Sequence, residues 1–175
     1  MPAALSTPSS RLLSTQAPPT PSPRFWLMKA EPDECSIDDL ARLPQQTVPW
    51  TGVRNYQARN FMREMRLGDL AFFYHSSCPQ PGIAGIVKIS RLAYPDATQF
   101  DPQSKYFDAK SKPDAPRWEH VDVQLVRKLP LIHLAALRET PELAELTILK
   151  RGNRLSITPV EPVHWDQVFK LVAMN

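Results

Sequence analysis

The chain has 175 residues, room for one domain of ordinary size and a tail. Apolar residues make up 42% and charged residues 22%, which supplies a core and excludes wholesale disorder. Formal charge is +3, but Arg11 and Arg24 lie in an acid-free first 24 residues, so the remainder is nearly balanced and is no general polyanion binder.

Residues 1–24 hold six prolines and eight Ser or Thr. Such a stretch buries little and its prolines break helices, so it reads as a disordered tail. Its lack of acids together with Leu5, Leu12 and Leu13 also fits a transit peptide, although the prolines oppose an amphipathic helix. Residues 25–175 read as the folded domain. No apolar run approaches the roughly 18–20 residues that span a bilayer.

Phe25 to Met28 reads as a short buried strand, stopped at Glu31-Pro32. Ser36 and Asp39 have capping-box spacing, so a helix is expected to about Leu43, ended by Pro44. Val48 to Val53 reads as a loop. Asn55 is a candidate N-cap for a helix from Tyr56 to Met65, on which Arg59, Arg63 and Arg66 share a face. A solvated helix face accounts for these arginines as well as a phosphate contact does. Leu70 to Tyr74 is a strongly apolar strand, and Ile83 to Leu92 is the next. Gly85 within it implies a bulge or a close backbone approach. Tyr94 to Pro116 has no clear period, and loops of that length are functional or mobile. Trp118 to Leu129 alternates as a strand, with Pro130 expected to stop it. Short helices over 131–137 and 141–146, a strand over 155–160 and a helix over 162–172 follow. Mixed elements with short connections imply an α+β fold with a largely antiparallel, curved sheet.

The chain carries no GxSxG, no GxGxxG and no glycine-rich phosphate loop, and it has only five glycines. Two cysteines, Cys35 and Cys78, make neither a disulfide framework nor a four-thiolate zinc site. His75 lies three residues before Cys78, which leaves a nucleophile and base as one reading, without a third group to orient the base. Trp26, Trp50, Tyr74 and Trp118 each adjoin polar residues. An aromatic slot for a flat ligand has that composition, and so does an ordinary core.

Trp26-Leu27-Met28-Lys29-Ala30-Glu31-Pro32 resembles the opening signature of the EVE domain family. The run Trp50 to Asn60 and the run Gly68 to Ser76 resemble its second and third signatures. Pro81 to Ile86, Tyr94 to Asp101, Trp118 to Val123 and Arg154 to Ile157 continue the likeness, which covers about residues 25–172. Ala30 stands where the family often has Ser, and Thr51 where Asp is common.

The resemblance implies a PUA-like fold, a curved, mainly antiparallel β-barrel flanked by helices and similar to the YTH readers. It implies a non-catalytic reader of modified bases in DNA, chiefly modified cytosine, flipped into an aromatic pocket. On that reading Trp26 and Trp50 are walls, and Tyr74 and His75 bound the mouth. Asn55, Asn60 and Ser76 read the base edge, Glu31 and Val53 complete the lining, and Lys29, Arg54 and Arg59 hold phosphates. No cofactor, metal or membrane is expected, and the chain is expected to be a monomer, nuclear in a eukaryote and cytoplasmic in a bacterium. An RNA-binding module of the same fold, and a hydrolase or nuclease using His75, Cys78 or the acidic loop, are the competing readings.

Overall fold

The computed structural model describes residues 22–174, so most of the expected tail lies outside the described residues. Six strands form one sheet: β1 (Phe25–Ala30), β2 (Thr47–Pro49), β3 (Leu70–His75), β4 (Gly82–Pro95), β5 (Glu119–His133) and β6 (Ile157–Val160). Among the described residues five α-helices surround it: α1 (Pro32–Cys35), α2 (Ile37–Arg42), α3 (Tyr56–Glu64), α4 (Leu134–Arg138) and α5 (Pro162–Met174). The strand order is β2-β5-β4-β3-β1-β6.

All pairings are antiparallel except β1 with β3, which run parallel from Phe25 opposite Leu70 to Ala30 opposite His75. A parallel pair needs a long crossover, and residues 31–69, with α1, α2, β2 and α3, supply it. The architecture is the expected mixed, mainly antiparallel one. The ladder is open, with β2 and β6 as its edges, so strand pairing among the described residues does not close a barrel.

Local chemistry sets several boundaries. Ser36 and Asp39 form the full capping box of α2, with Ser36 Oγ accepting from the Asp39 N–H at 3.0 Å. Asn55 Oδ1 accepts from the Ala58 N–H at 3.0 Å and starts α3. Gly85 sits at a register shift between β4 and β5. A Cβ there would lie 2.7 Å from Ile37 Cδ1 and 2.9 Å from the Arg127 carbonyl, which is the close approach its position implied. Pro130 does not stop β5, contrary to expectation. It falls between the Gly85–Lys128 and Ile83–Ile132 pairs, in an irregular stretch where no ladder N–H is required. The strand therefore continues to His133 and shortens the following helix to five residues.

Alternation on the strands sends side chains to two cores. Trp26, Met28, Ala71 and Phe73 join Ile37, Leu40, Trp50, Met62 and Val123 on one face. Leu27, Phe72 and Tyr74 join Ile83, Leu137, Leu143, Trp165 and Val168 on the other, under α4 and α5. There Trp165 stacks on Phe72 at 3.9 Å and on Phe25 at 4.4 Å.

Candidate functional site

The larger cavity opens where the C-terminal end of β1 meets the segment Val48 to Val53. Its volume is about 540 Å³, inside the range that holds a small ligand. One wall is Trp50, Val53 and Gly52; another is Lys29, Ala30 and Glu31; Ser76, Ser77 and Arg154 close other sides. Tyr106, from the long loop, and Glu34 and Cys35, from α1, complete it.

Trp50 is placed by its backbone N–H, which donates to the Val121 carbonyl at 2.8 Å, and by an edge contact with Phe73 at 5.4 Å. It is 8% exposed. Lys29 is half-buried, and burial lowers its pKa from the usual lysine value. Glu31 is the N-cap residue of α1, yet its side chain makes no capping hydrogen bond, so its carboxylate stays at the rim. Ser76 is fixed by its N–H, which donates to the Ala30 carbonyl at 2.9 Å. Burial first, then the nearby Asp39 charge, pushes the Cys35 thiol up, which disfavours a thiolate at this wall.

The loop between β4 and β5 lacks a period but is densely bonded. Gln99, fully buried, donates to the Asp96 and Trp118 carbonyls at 2.7 and 2.8 Å and accepts from the Trp118 N–H at 3.0 Å. The Trp118 indole donates to Asp108 at 2.8 Å, and its ring stacks on Tyr56. Asp96, also fully buried, accepts from the Gly52 N–H at 2.9 Å, from Arg54 Nη1 at 2.9 Å, and from the N–H and hydroxyl of Thr98 at 2.9 and 2.6 Å. Burial alone would push the Asp96 carboxyl up; the donors from Thr98, Gly52 and Arg54 outweigh it and hold it below the usual range.

Tyr106 emerges from this loop and lies against Gly52. A Cβ at Gly52, where φ is +87°, would come within 2.6 Å of the Tyr106 ring. The Tyr106 hydroxyl donates to both Glu34 oxygens at 2.8 Å, and Lys105 pairs with the same carboxylate. Burial, then the Glu31 charge, raises the tyrosine pKa.

The structure thus brings Lys29, Glu31, Trp50, Val53 and Ser76 of the expected set together around one cavity. The other expected residues lie elsewhere, each for a visible reason. Trp26, expected as the second wall, is 2% exposed, and its indole N–H donates to the buried Asp69 carboxylate at 3.0 Å. It borders a separate cavity of about 310 Å³ with Arg24, Phe61, Glu64 and Pro159. Tyr74 points to the opposite core because strand alternation puts it on the other face from Phe73. His75 lies near the first turn of α2, where its Nε2 accepts the Ile37 N–H at 3.1 Å, and burial lowers its pKa. Asn55 is spent as the cap of α3, and Asn60 Oδ1 accepts from Arg59 at 2.9 Å.

The arginines are mostly engaged within the protein. Arg54 donates to the Tyr106 and Val53 carbonyls, to Asp96 and to Thr98 Oγ1, each at 2.9 Å. Arg59 donates to the Arg117 carbonyl at 2.7 Å and lies over the Tyr56 ring. Arg63 forks onto Glu119. The sequence singles out neither Tyr106 nor Glu34, and it offers Arg154 only as the head of a motif. The aperiodic length of its loop is the signal for Tyr106, motif likeness is the signal for Arg154, and local pattern holds none for Glu34. Among the described residues no group of three His, Cys, Asp or Glu side chains has metal-site geometry, and no helix is long and apolar enough to cross a membrane.

Comparison with known proteins extends this geometry. The family model for the EVE domain matches residues 24–171. Thymocyte nuclear protein 1 of Homo sapiens is 46% identical over 163 residues, spanning 83% of this chain and 72% of that protein. A Pseudomonas putida protein of known crystal structure is 53% identical with a TM-score of 0.81, over 84% of this chain and 98% of that one. Human THYN1 protein, crystallised in complex with 5-methylcytosine-containing DNA, is 45% identical with a TM-score of 0.81, over 85% of this chain and 96% of that one. A family match that runs through every strand of the sheet, with relatives this similar along most of their length, makes the chain a member of the EVE domain family.

Proposed function

We propose that this protein reads modified cytosine in DNA, taking one flipped nucleotide into the Trp50 cavity and binding it without chemistry. The observation that carries the reading is the likeness, along 85% of the chain, to the human protein solved on 5-methylcytosine DNA. The cavity supports it physically. Trp50 and Val53 offer an apolar surface at its inner side, and Lys29, Glu31 and Ser76 supply polar groups at its edge.

A base inside a duplex shows its methyl group in the major groove but keeps its faces stacked and its Watson–Crick edge paired, so a cavity that encloses it requires the nucleotide to leave the stack, at a cost of a few kcal/mol. Stacking on an aromatic ring returns about 1–3 kcal/mol. In this reading Glu31 accepts from the cytosine amino group, Ser76 contacts the base edge, and Lys29 neutralises a flanking phosphate. Binding rather than catalysis is supported by His75, whose Nε2 already accepts a helix N–H and is not free to serve as a base. The relatives' name, thymocyte nuclear protein, supports a nuclear setting where the host is a eukaryote.

The test is competition binding with duplexes matched in sequence that carry 5-methylcytosine or cytosine at one site, and with RNA of the same length. The expected order is methylated duplex first, and overnight incubation with magnesium leaves the DNA intact. Equal affinity for the unmodified duplex, stronger binding of RNA, or sustained cleavage overturns the reading.

A further inference from the structure

We infer that Tyr106 is a specificity-determining wall of the cavity, and that Arg54 and Asp96 are positioning residues that hold it there rather than contacts to the DNA backbone. The inference deepens the reading above and rests on it for the identity of the ligand.

The loop between β4 and β5 has no sheet partner to fix Tyr106, yet the residue is held at three points. Its carbonyl accepts from Arg54 Nε at 2.9 Å. Its ring lies on the Cβ-less face of Gly52. Its hydroxyl donates to Glu34 on α1. Two of these points lead to one buried carboxylate: Asp96 accepts from the Gly52 N–H and from Arg54. Asp96 also takes both donors of Thr98, at the start of the same loop. The floor under the ring, the fork behind it and the root of its loop are thereby locked to a common acceptor.

An arginine that serves a phosphate keeps its planar fork turned outward. Arg54 does the opposite, with Nε and both terminal nitrogens bonded inside the protein and the guanidinium lying between the Tyr106 and Trp118 rings at 5.5 and 5.6 Å. A wall fixed in this way offers a gap set before the ligand arrives, so little ordering is left to be done on binding. The ligand it suits is a flat heteroaromatic ring, as a nucleobase is.

Two measurements test this. The first needs no DNA: hydrogen exchange of the free protein, with Arg54→Lys compared to wild type. Lysine keeps the charge but cannot reach the Tyr106 carbonyl, Thr98 and Asp96 at once. The expected result is faster exchange over residues 104–111 with β3 unchanged; unchanged exchange in that segment overturns the positioning role. Should Arg54→Lys loosen the whole domain, Thr98→Val, which removes one acceptor of the fork, is read by the same criterion.

The second measurement is affinity for the 5-methylcytosine duplex in Arg54→Lys, Tyr106→Ala and the double variant. Tyr106→Ala is expected to lose about tenfold, a loss within the range of one stacked ring. Arg54→Lys should lose a comparable part of that, and the double variant no more than Tyr106→Ala alone. Wild-type binding by Arg54→Lys, as a phosphate contact would give, or multiplied losses in the double variant, overturn the inference. A wild-type protein indifferent to methylation would overturn the functional reading instead, and the exchange measurement would still decide where Arg54 acts.

Discussion

Trp26 and Trp50 each open a motif, both lie in the same core, and both are almost wholly buried. What separates them is the company of each ring. Trp26 hands its indole N–H to Asp69, and that carboxylate also accepts from the backbone N–H groups of Arg24 and Arg66 at 3.0 Å. The arrangement is a buried knot of hydrogen bonds that ties the start of β1 to the turn before β3. Trp50 stands beside Gly52 and the charged end of β1, and its face borders the larger cavity. A second buried carboxylate, Asp96, organises that side, but its donors hold a loop over open space. Burial alone therefore does not tell a wall from a core filler; the use of the polar atoms around the ring does.

The largest effects should come from removing the rings. Trp26→Ala and Trp50→Ala are each expected to cost about 3–5 kcal/mol of stability, as large aromatic deletions in cores do. Their binding should diverge. At a temperature where circular dichroism shows both variants folded, Trp26→Ala should keep the affinity of wild type for a 5-methylcytosine duplex, and Trp50→Ala should lose about 1–3 kcal/mol. The reverse pattern would move the ligand to the smaller cavity beside Trp26.

Exchanging the carboxylates sharpens the same contrast at smaller cost. Asp69→Asn would turn an NH2 toward a donor and leave at least one N–H without an acceptor, worth about 1–3 kcal/mol in urea denaturation. Binding by the folded protein should not change. Asp96→Asn should lower stability and also weaken methylated-duplex binding, because its partners include the cavity residues Gly52 and the Arg54 that holds Tyr106. Equal effects of the two variants on affinity would remove the distinction between the two carboxylates.

Acid sensitivity isolates Asp96 further. Its folded pKa is depressed, so its contribution is complete above the unfolded aspartate value of about 3.9 and is lost as pH falls through the folded value. Wild type should thus destabilise on acidification below about pH 4 more steeply than Asp96→Asn, which carries no proton equilibrium at that site. Thermal midpoints measured across that window check this. Identical slopes would show that the hydrogen bonds to Asp96 do not favour its charged form.

What the sequence revealed follows the range of each interaction. The capping box of Ser36 and Asp39 and the Asn55 cap were legible because donor and acceptor lie three residues apart. The bulge at Gly85 was legible because glycine in an apolar strand has few other reasons. Pro130 misled because its tolerance depends on a register shift in a pairing with β4, some forty residues upstream. Trp50, Lys29, Glu31, Val53 and Ser76 stand out by motif likeness, and the fold gathers them around one cavity. Tyr106 was not found, since its ring rests on Gly52 and its hydroxyl on Glu34, partners that only the folded chain brings near. Arg54 and Asn55 show the complementary limit: in sequence they look like free polar side chains, and the internal partners that engage them in the fold are invisible there.

The smallest change bears on the cavity alone. Ala30 lines it at the end of β1, and its carbonyl already accepts from the Ser76 N–H. Ala30→Ser adds a single hydroxyl to that wall without touching the Trp26 side. Ala30 is partly exposed and packs against the margin of the first core, so stability should fall by no more than about 1 kcal/mol. If the substituent on the base faces this wall, the new hydroxyl should favour 5-hydroxymethylcytosine over 5-methylcytosine by about 0.5–1.5 kcal/mol, the net worth of one hydrogen bond. The ratio of the two affinities, wild type against Ala30→Ser, reads this directly. An unchanged ratio would place the substituent against Trp50 and Val53 instead, where shape and apolar contact rather than a hydroxyl partner set the preference.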